Sequence, residues 1–287
     1  MIGFNGTYLP TASLGNMRIT AAAIGGQWVI GGKNWLVGAT QQAIIAAFGA
    51  EEGKAVISKT NDYLHAIVAT DTTRAQQLAM FIQEDPMLVV SLVETGKERY
   101  IHATSNLRAY IDVWTATDLK IVTKCATDGT TGGTNDTICG VLGWNSSWNK
   151  CDVGSFLIGF DKRNGQSFCY GTEHNWFNAI YAKNVKANTP YILDADYSRF
   201  IAYDINGNKL VQQNNTYYWT EGNERQMTMM GVGVIVYDCK IYKNGELYRH
   251  IVPFQGTDGA CLVDVVNGTR YYPSTEGTFT IALIDKA

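Results

Sequence analysis

Three groups of aromatic and amide side chains have the composition of sugar-binding surfaces. They are Trp144 and Trp148 in the run WNSSWN, Trp176 in the run HNW, and the consecutive residues Tyr217, Tyr218 and Trp219. Aromatic rings stack on the faces of pyranose sugars, and nearby amides bond the sugar hydroxyls. Two interpretations stay open for each group: it binds a glycan, or it covers the end of a core or a subunit interface.

A polar, glycine-rich stretch over residues 128–136 offers oxygen ligands for a metal ion. Its carboxylate and amide side chains are Asp128, Asn135 and Asp136. Calcium prefers such hard oxygen ligands, so the stretch predicts a calcium site, with a plain surface loop as the alternative. The sequence has no Cys-x-x-Cys motif and its four histidines are scattered, so it gives no support for structural zinc.

The carboxylates do not have the spacing that glycoside hydrolysis requires. That reaction uses an acid and a base or nucleophile about 5–9 Å apart, and neither Glu-x-Asp-x-x-Glu nor Glu-x-Asp-x-Glu occurs. The nearest pair, Glu221 and Glu224, lies in a stretch rich in Gly and Asn, which is typical of solvated loop acids. Serine-hydrolase, zinc-protease and phosphate-loop motifs are also missing. We therefore predict a non-enzymatic protein, with a degenerate glycoside hydrolase as a weaker alternative.

The charge balance argues against a polyanionic partner. Only 17% of the 287 residues are charged, against about 25% in an average domain. With 23 basic and 26 acidic residues the net charge is −3, which excludes binding to nucleic acid or anionic lipid as the main activity. Glycine pairs, Lys33 and Asn34 interrupt the most apolar stretch, residues 19–50, so no membrane insertion is expected. Residues 1–6 lack the start of a secretory signal.

The six cysteines are widely spaced, at positions 125, 139, 151, 169, 239 and 261. Without an export signal, such spacing predicts thiols on strands more readily than disulfides.

Composition changes near residue 96. Residues 1–96 carry two of the seven Trp, two of the sixteen Tyr and none of the Cys. The first part is rich in Ala, Ile and Gly, and the second in Tyr, Trp, Thr and Asn. We therefore predict a small α+β module over residues 1–96, followed by a mainly β domain over residues 97–287.

In the first part we predict two helices. Thr40 is the expected N-cap of the first, and Gly49 or Gly53 ends it. Asp71 opens the second and Pro86 stops it. The apolar run 87–93 predicts a buried strand, and residues 27–30 and 35–37 a hairpin across glycines.

The second part reads almost wholly as strands separated by Asn-Gly or Asp-Gly turns. This pattern favours an antiparallel sandwich. The predicted strands are 110–114, 119–125, 138–142, 156–160, 167–170, 179–182, 191–195, 199–203, 229–242, 248–253, 260–266 and 278–283.

The end of the chain carries the most specific pattern. It contains residues 238–249 (DCKIYKNGELYR), 251–253 (IVP), 259–268 (GACLVDVVNG) and 275–279 (TEGTF). These residues, with the opening 100–104 (YIHAT) and 108–112 (RAYID), resemble the concanavalin A-like, or laminin-G-like, jelly-roll domains of phage and prophage structural proteins. The resemblance covers about residues 97–287.

The same residues have a simple physical interpretation. Asn244-Gly245 and Asn267-Gly268 are expected turns, and Asp264 is expected to accept backbone N–H bonds in a turn. The residues expected to face the core are Ile241, Leu247, Ile251, Leu262, Val266 and Phe279.

The resemblance implies a virion structural protein: a capsid decoration, head-fibre or tail-appendage subunit assembled in the host cytoplasm. Residues 1–96 would then attach to other virion proteins and form a homo-oligomer, with a trimer as the expected form. The jelly roll would bind a host or mucin glycan. The alternative is a bacterial cell-surface or secreted carbohydrate-binding module.

Overall fold

The chain folds as two units, Met1–Thr95 and Gly96–Ala287. The computed structural model describes residues 35–105, 107–130, 154–161, 167–172, 178–180, 185–214, 222 and 224–286, with the backbone of short strands between residues 12 and 29. None of the helices in these ranges is both long and apolar enough to cross a membrane.

The first unit combines short antiparallel strand pairs with helices, which confirms the predicted α+β class. Strand β1 (Ala12–Leu14) pairs with β2 (Met17–Ile19), and β3 (Ala22–Ile24) pairs with β4 (Gln27–Val29). The helices are α1 (Gly38–Phe48), α2 (Ala50–Val68), α3 (Thr72–Glu84) and α4 (Val89–Leu92).

Helices α1 and α2 meet at a glycine corner. Gly49 has φ 85° and its N–H donates to the Ile45 carbonyl at 2.8 Å, so it ends α1 as predicted. Gly53 does not end a helix but lies in α2, where a Cβ would come 2.8 Å from the Ile45 Cα. The close crossing of the two helices therefore requires glycine there. The predicted N-cap Thr40 is wrong, because α1 begins at Gly38 and Thr40 is buried in its first turn.

Helix α3 begins and ends where its sequence signals predict. The Asp71 carboxylate accepts the Arg74 N–H at 2.9 Å, a cap that satisfies one of the unpaired donors of the first turn. The helix ends at Glu84, before Pro86. Helix α2 was not predicted, since Gly53 and Thr60 interrupt its pattern of helix-forming residues.

The predicted strand 87–93 is wrong. This segment forms a 3₁₀ turn (Pro86–Leu88) followed by α4, and Leu88 and Val89 are fully buried. A short apolar run is compatible with a buried helix as well as with a buried strand. Pro86 has the φ angle that the start of the 3₁₀ turn requires.

The predicted hairpin of residues 27–30 with 35–37 is also wrong. Strand β4 pairs with β3 instead. The backbone N–H of Trp35 donates to the Asn61 side-chain oxygen of α2 at 3.0 Å, so this segment packs on a helix and does not continue a sheet.

The second unit is antiparallel throughout its described strand pairs, which confirms a mainly β fold. Its strands are β5 (Lys97–Ala103), β6 (Ala109–Trp114), β7 (Leu119–Thr127), β8 (Phe156–Asp161), β9 (Ser167–Thr172), β10 (Asn178–Ile180), β11 (Tyr191–Asp196), β12 (Arg199–Tyr203), β13 (Lys209–Asn214), β14 (Gln226–Met229), β15 (Val234–Lys243), β16 (Glu246–Gly256), β17 (Gly259–Asp264), β18 (Arg270–Tyr271) and β19 (Thr280–Asp285).

Strand β15 lies at the centre of the large sheet, whose order is β13-β12-β11-β7-β15-β16-β17-β18. The first residues of β15 also pair with β5, which in turn pairs with β19. The smaller pairings are β14-β6 and β10-β9-β8. Buried side chains from these smaller groups and from the large sheet form one core, so the unit is sandwich-like.

Aromatic rings join the two layers of this core. The Tyr170 ring stacks on Phe200 with centroids 5.5 Å apart, and Phe168 meets Tyr191 edge-on at 5.1 Å. Each such pair stabilises the fold by about 0.5–1.5 kcal/mol beyond the area it buries. The Tyr170 hydroxyl donates to the Asp196 carbonyl at 3.0 Å, and burial raises the pKa of this phenol.

Most predicted strands are present, with some changes. The predicted strand 229–242 is broken, because Met230 and Gly231 have positive φ and redirect the chain from β14 into β15. Residues 138–142 and 181–182 lie outside the described residues. Strand β13 was not predicted, since its sequence is largely polar, as suits a strand with one described neighbour, β12.

The predicted core residues Ile241, Ile251, Leu262 and Phe279 are buried. The prediction that Leu247 faces the core is wrong, because 41% of its surface is exposed, and Val266 is only half-buried. A register shift between Ile241 and Tyr242, opposite Leu247, breaks the expected alternation. Four cysteines lie buried on strands as predicted, namely Cys125, Cys169, Cys239 and Cys261, while Cys139 and Cys151 lie outside the described residues.

A buried carboxylate organises the last turns of the large sheet. Asp264 has no exposed surface, and its Oδ1 accepts the N–H groups of His250 at 3.1 Å and Val266 at 2.9 Å, as predicted for a turn. Its Oδ2 lies 3.2 Å from the Arg249 Nε. Burial raises the pKa of this carboxyl, while the two amides and Arg249 act in the opposite direction.

Replacing this carboxylate tests its structural role. We expect Asp264→Asn to lower the free energy of unfolding by about 3 kcal/mol, because it leaves the Arg249 guanidinium without its buried counter-charge. The melting temperature should then fall by roughly 10 °C, measured by circular dichroism. Asp258→Asn, at an exposed carboxylate on the preceding turn, is the matched control. An equal effect of both substitutions would contradict the role of Asp264.

Candidate functional site

Strand β6 presents two aromatic rings and a carboxylate on one exposed face. Alternate side chains of a strand point to opposite faces. The odd-numbered positions of β6 are buried and the even-numbered positions are exposed. The exposed residues, which we call the β6 strip, are Tyr110, Asp112 and Trp114. Tyr110 is 56% exposed and Trp114 is 49% exposed.

Strand β14 lies beside the strip and supplies polar groups. Gln226 pairs with Trp114, and Thr228 pairs with Tyr110. The Gln226 amide donates to the Ile111 carbonyl at 3.1 Å, which holds the two strands in register. Thr228 is 3% exposed, and its Oγ1 has no hydrogen-bond partner within the described part of the chain. An unused hydroxyl therefore lies next to the Tyr110 end of the strip.

Arg249 connects the strip to the large sheet. Its Nη2 lies 3.5 Å from the Asp112 carbonyl oxygen and 3.9 Å from the Asp112 carboxylate. The guanidinium also stacks on the Tyr248 ring at 3.8 Å and faces Asp264. The Arg249 guanidinium thus contacts the β6 backbone, while the Asp264 carboxylate balances its charge.

Thr115 follows the strip and joins three chain segments. Its hydroxyl donates to the Gly154 carbonyl at 2.7 Å and accepts the Arg225 N–H at 2.9 Å. Its own N–H donates to the Arg225 carbonyl at 2.9 Å. We call Thr115, Gly154 and Arg225 the Thr115 junction. One buried hydroxyl therefore fixes both the start of β8 and the start of β14.

The predicted glycan-binding residues Trp144, Trp148, Trp176, Tyr217, Tyr218 and Trp219 all lie outside the described residues. One described flank of each segment lies near the start of β8 or β14. Gly154 follows the segment with Trp144 and belongs to the Thr115 junction, and Gly222 lies three residues before Arg225. Thr172, which precedes the segment with Trp176, pairs with Phe156 at the start of β8.

Of the predicted calcium ligands only Asp128 is described. Its Oδ2 lies 3.0 Å from the His102 Nε2, and its Oδ1 accepts the Thr130 N–H at 2.7 Å. Asn135 and Asp136 lie outside the described residues. In the described ranges no three carboxylate, histidine or cysteine side chains cluster as metal ligands. Glu224 is exposed, as expected for a solvated loop acid, and Glu221 is not described.

A second polar cluster lies on β15 and β16. The His250 Nε2 is 2.7 Å from the Asp238 Oδ1, and the Lys240 ammonium is 3.3 Å from the Asp238 Oδ2. Burial alone would raise the pKa of Asp238, but the hydrogen bond and charge of His250, together with Lys240, hold that pKa below its ordinary value.

A third cluster combines aromatic and charged groups on β5, β7 and β15. Tyr237 packs edge-on against Tyr100 at 5.7 Å, and the Lys124 ammonium, which pairs with Glu98, lies 5.2 Å from its ring centre. Burial, followed by the charge of Glu98, raises the pKa of Tyr237 to about 12. The charged and polar groups of both clusters pair with one another within the large sheet, as structural contacts do.

No protein-family model matches the chain, and no curated protein is similar to it in sequence. The sequence did not predict the β6 strip as a site, because the composition typical of sugar-binding surfaces occurs in the aromatic residues between strands. The signal was present in residues 109–114, where Tyr and Trp occupy the positions of an alternating strand that usually hold polar side chains.

The Thr115 junction predicts a measurable cost for loss of one hydroxyl. We expect Thr115→Val to lower the free energy of unfolding by about 2 kcal/mol, because the part-buried Arg225 N–H and the buried Gly154 carbonyl each lose a partner. Urea denaturation followed by circular dichroism measures this. Thr117→Val, at an exposed threonine two residues on, should change it by less than about 0.5 kcal/mol. Similar values for both variants would exclude the junction.

The lowered pKa of Asp238 predicts an acid-sensitive contribution to stability. A carboxyl with a depressed folded-state pKa stabilises the fold above its unfolded pKa and loses this effect as pH falls through the folded pKa. Between about pH 5 and pH 2, the free energy of unfolding should therefore decrease more steeply in the wild type than in Asp238→Asn. The exposed-site variant Asp258→Asn should follow the wild type. Parallel curves for Asp238→Asn and the wild type would contradict the assignment.

Proposed function

We propose that this chain is a non-enzymatic structural protein of a phage particle, a capsid decoration, head-fibre or tail-appendage subunit. Its second unit would be a concanavalin A-like jelly roll that displays a glycan-binding surface. Its first unit would attach to other virion proteins and form a homo-oligomer, with a trimer as the proposed form. The protein would then act by presenting surfaces and by holding its place in an assembly.

One observation carries this proposal: the closing part of the phage-type resemblance forms three adjacent strands of the large sheet, β15, β16 and β17. Residues 238–249 form a hairpin of the large sheet whose turn, Asn244-Gly245, has φ angles of 51° and 81°. Asp264 organises the next turn through backbone N–H groups. These contacts support a jelly roll with the same closing strands.

The glycan-binding part of the proposal rests on chain geometry. One described flank of each segment that contains Trp144 and Trp148, Trp176, or residues 217–219 lies near Thr115 or Phe156. Aromatic residues from three segments with neighbouring flanks could serve one glycan. A calcium ion at Asp128, Asn135 and Asp136 stays a prediction.

Protein composition of purified particles tests the virion role. Phage particles banded on a density gradient should contain this chain in a fixed ratio to the major capsid protein, measured by quantitative mass spectrometry. Treating intact producer cells with protease before lysis provides the control for surface contamination. Recovery from the cell surface or culture medium, with none in the particles, would overturn the virion role and favour the bacterial carbohydrate-binding module.

A further inference from the structure

The β6 strip is an exposed aromatic surface that the core does not explain. Tyr110 and Trp114 are 56% and 49% exposed, on a strand whose other face is fully packed. Four residues along a strand correspond to about 13 Å, so the rings are placed to contact separate parts of one extended ligand. Large rings with one apolar face and one polar atom are typical of binding surfaces.

The charge of the strip restricts its ligand. Asp112 lies between the two aromatic positions with 58% of its side chain exposed. An ionised carboxylate only accepts hydrogen bonds, so it suits a ligand rich in hydroxyl donors. The neighbouring Arg249 faces Asp264 and stacks on Tyr248, so its charge is compensated inside the fold. The strip therefore favours a neutral ligand over an acidic one.

A second copy of the chain fits the strip less well. A symmetric contact through this face would bring the two Asp112 carboxylates together near the twofold axis. Like charges that face each other at an interface oppose association. Hydroxyl groups of a neutral sugar would instead bond the carboxylate while the pyranose faces stack on the rings.

We propose that Tyr110, Asp112 and Trp114 form a binding surface for a neutral glycan chain. The ligand class, a glycan, rests on the proposed function of a lectin-like unit. The position of the site on β6 is the new part of the inference. Tyr110 and Trp114 stack on two sugar rings, and Asp112 accepts hydroxyl hydrogens between them.

Direct binding to defined sugars tests the site. The purified full chain is titrated by calorimetry with hexasaccharides of cellulose, amylose, chitin and xylan, and with hyaluronate and polysialate as acidic probes. We expect at least one neutral hexasaccharide to bind and both acidic probes to fail. Trp114→Ala and Tyr110→Ser should each weaken binding about tenfold or more. Asp112→Asn should weaken neutral binding and reduce the discrimination against acidic probes.

The control is Leu210→Ala, which removes an exposed apolar side chain from β13, at the opposite end of the large sheet from β18, and should leave binding unchanged. Melting temperatures show that each variant is folded, and Tyr110→Ser replaces Trp114→Ala if the latter is not. Failure of every neutral sugar to bind the wild type would overturn the proposal. So would unaltered binding by both strip variants, which would favour the aromatic residues outside the described ranges as the binding site.

Two further results bear on the same proposal. A change in sedimentation coefficient caused by the strip variants would identify the strip as an interface between copies and would overturn the glycan site. Sugar binding by the purified chain combined with its absence from phage particles would reject the virion role alone. The binding site and the virion role can therefore fail separately.

Discussion

The buried Asp264 carboxylate is the constraint on which the ends of the sandwich depend. A charge without exposed surface must be compensated by groups in fixed positions. Two backbone amides and the Arg249 guanidinium meet this need. Because Arg249 also contacts Asp112, the compensation of one charge sets the position of β6 relative to β16. The polar interaction therefore acts together with the aromatic packing of the core to hold the two layers in position.

The same alignment determines which face of β6 reaches the surface. Packing buries alternate residues of this strand, and Thr115 fixes its end through hydrogen bonds to Gly154 and Arg225. A rigid strand gives a more accurate placement of side chains than a loop does. The strip is thus preorganised, since its rings need little reordering to meet a ligand.

Sequence reasoning succeeded where one local interaction decides the structure. The Asp71 cap, the stop at Pro86 and the Asp264 turn each follow from a single residue and its neighbours in the chain. It failed where distant packing decides. Residues 87–93 are apolar enough for either a strand or a helix, and the burial of their side chains selects the helical turns. Gly53 suggested a helix end, but the crossing with α1 requires it inside a helix.

The pairing of β5 has a consequence for synthesis of the chain. This strand opens the second unit, yet its neighbours β15 and β19 come from residues 234–236 and 280–285, far towards the C-terminus. A nascent chain therefore carries β5 with open edges until almost the whole unit has left the ribosome. Open strand edges pair with other chains, so newly made copies depend on rapid completion or on chaperones to avoid aggregation.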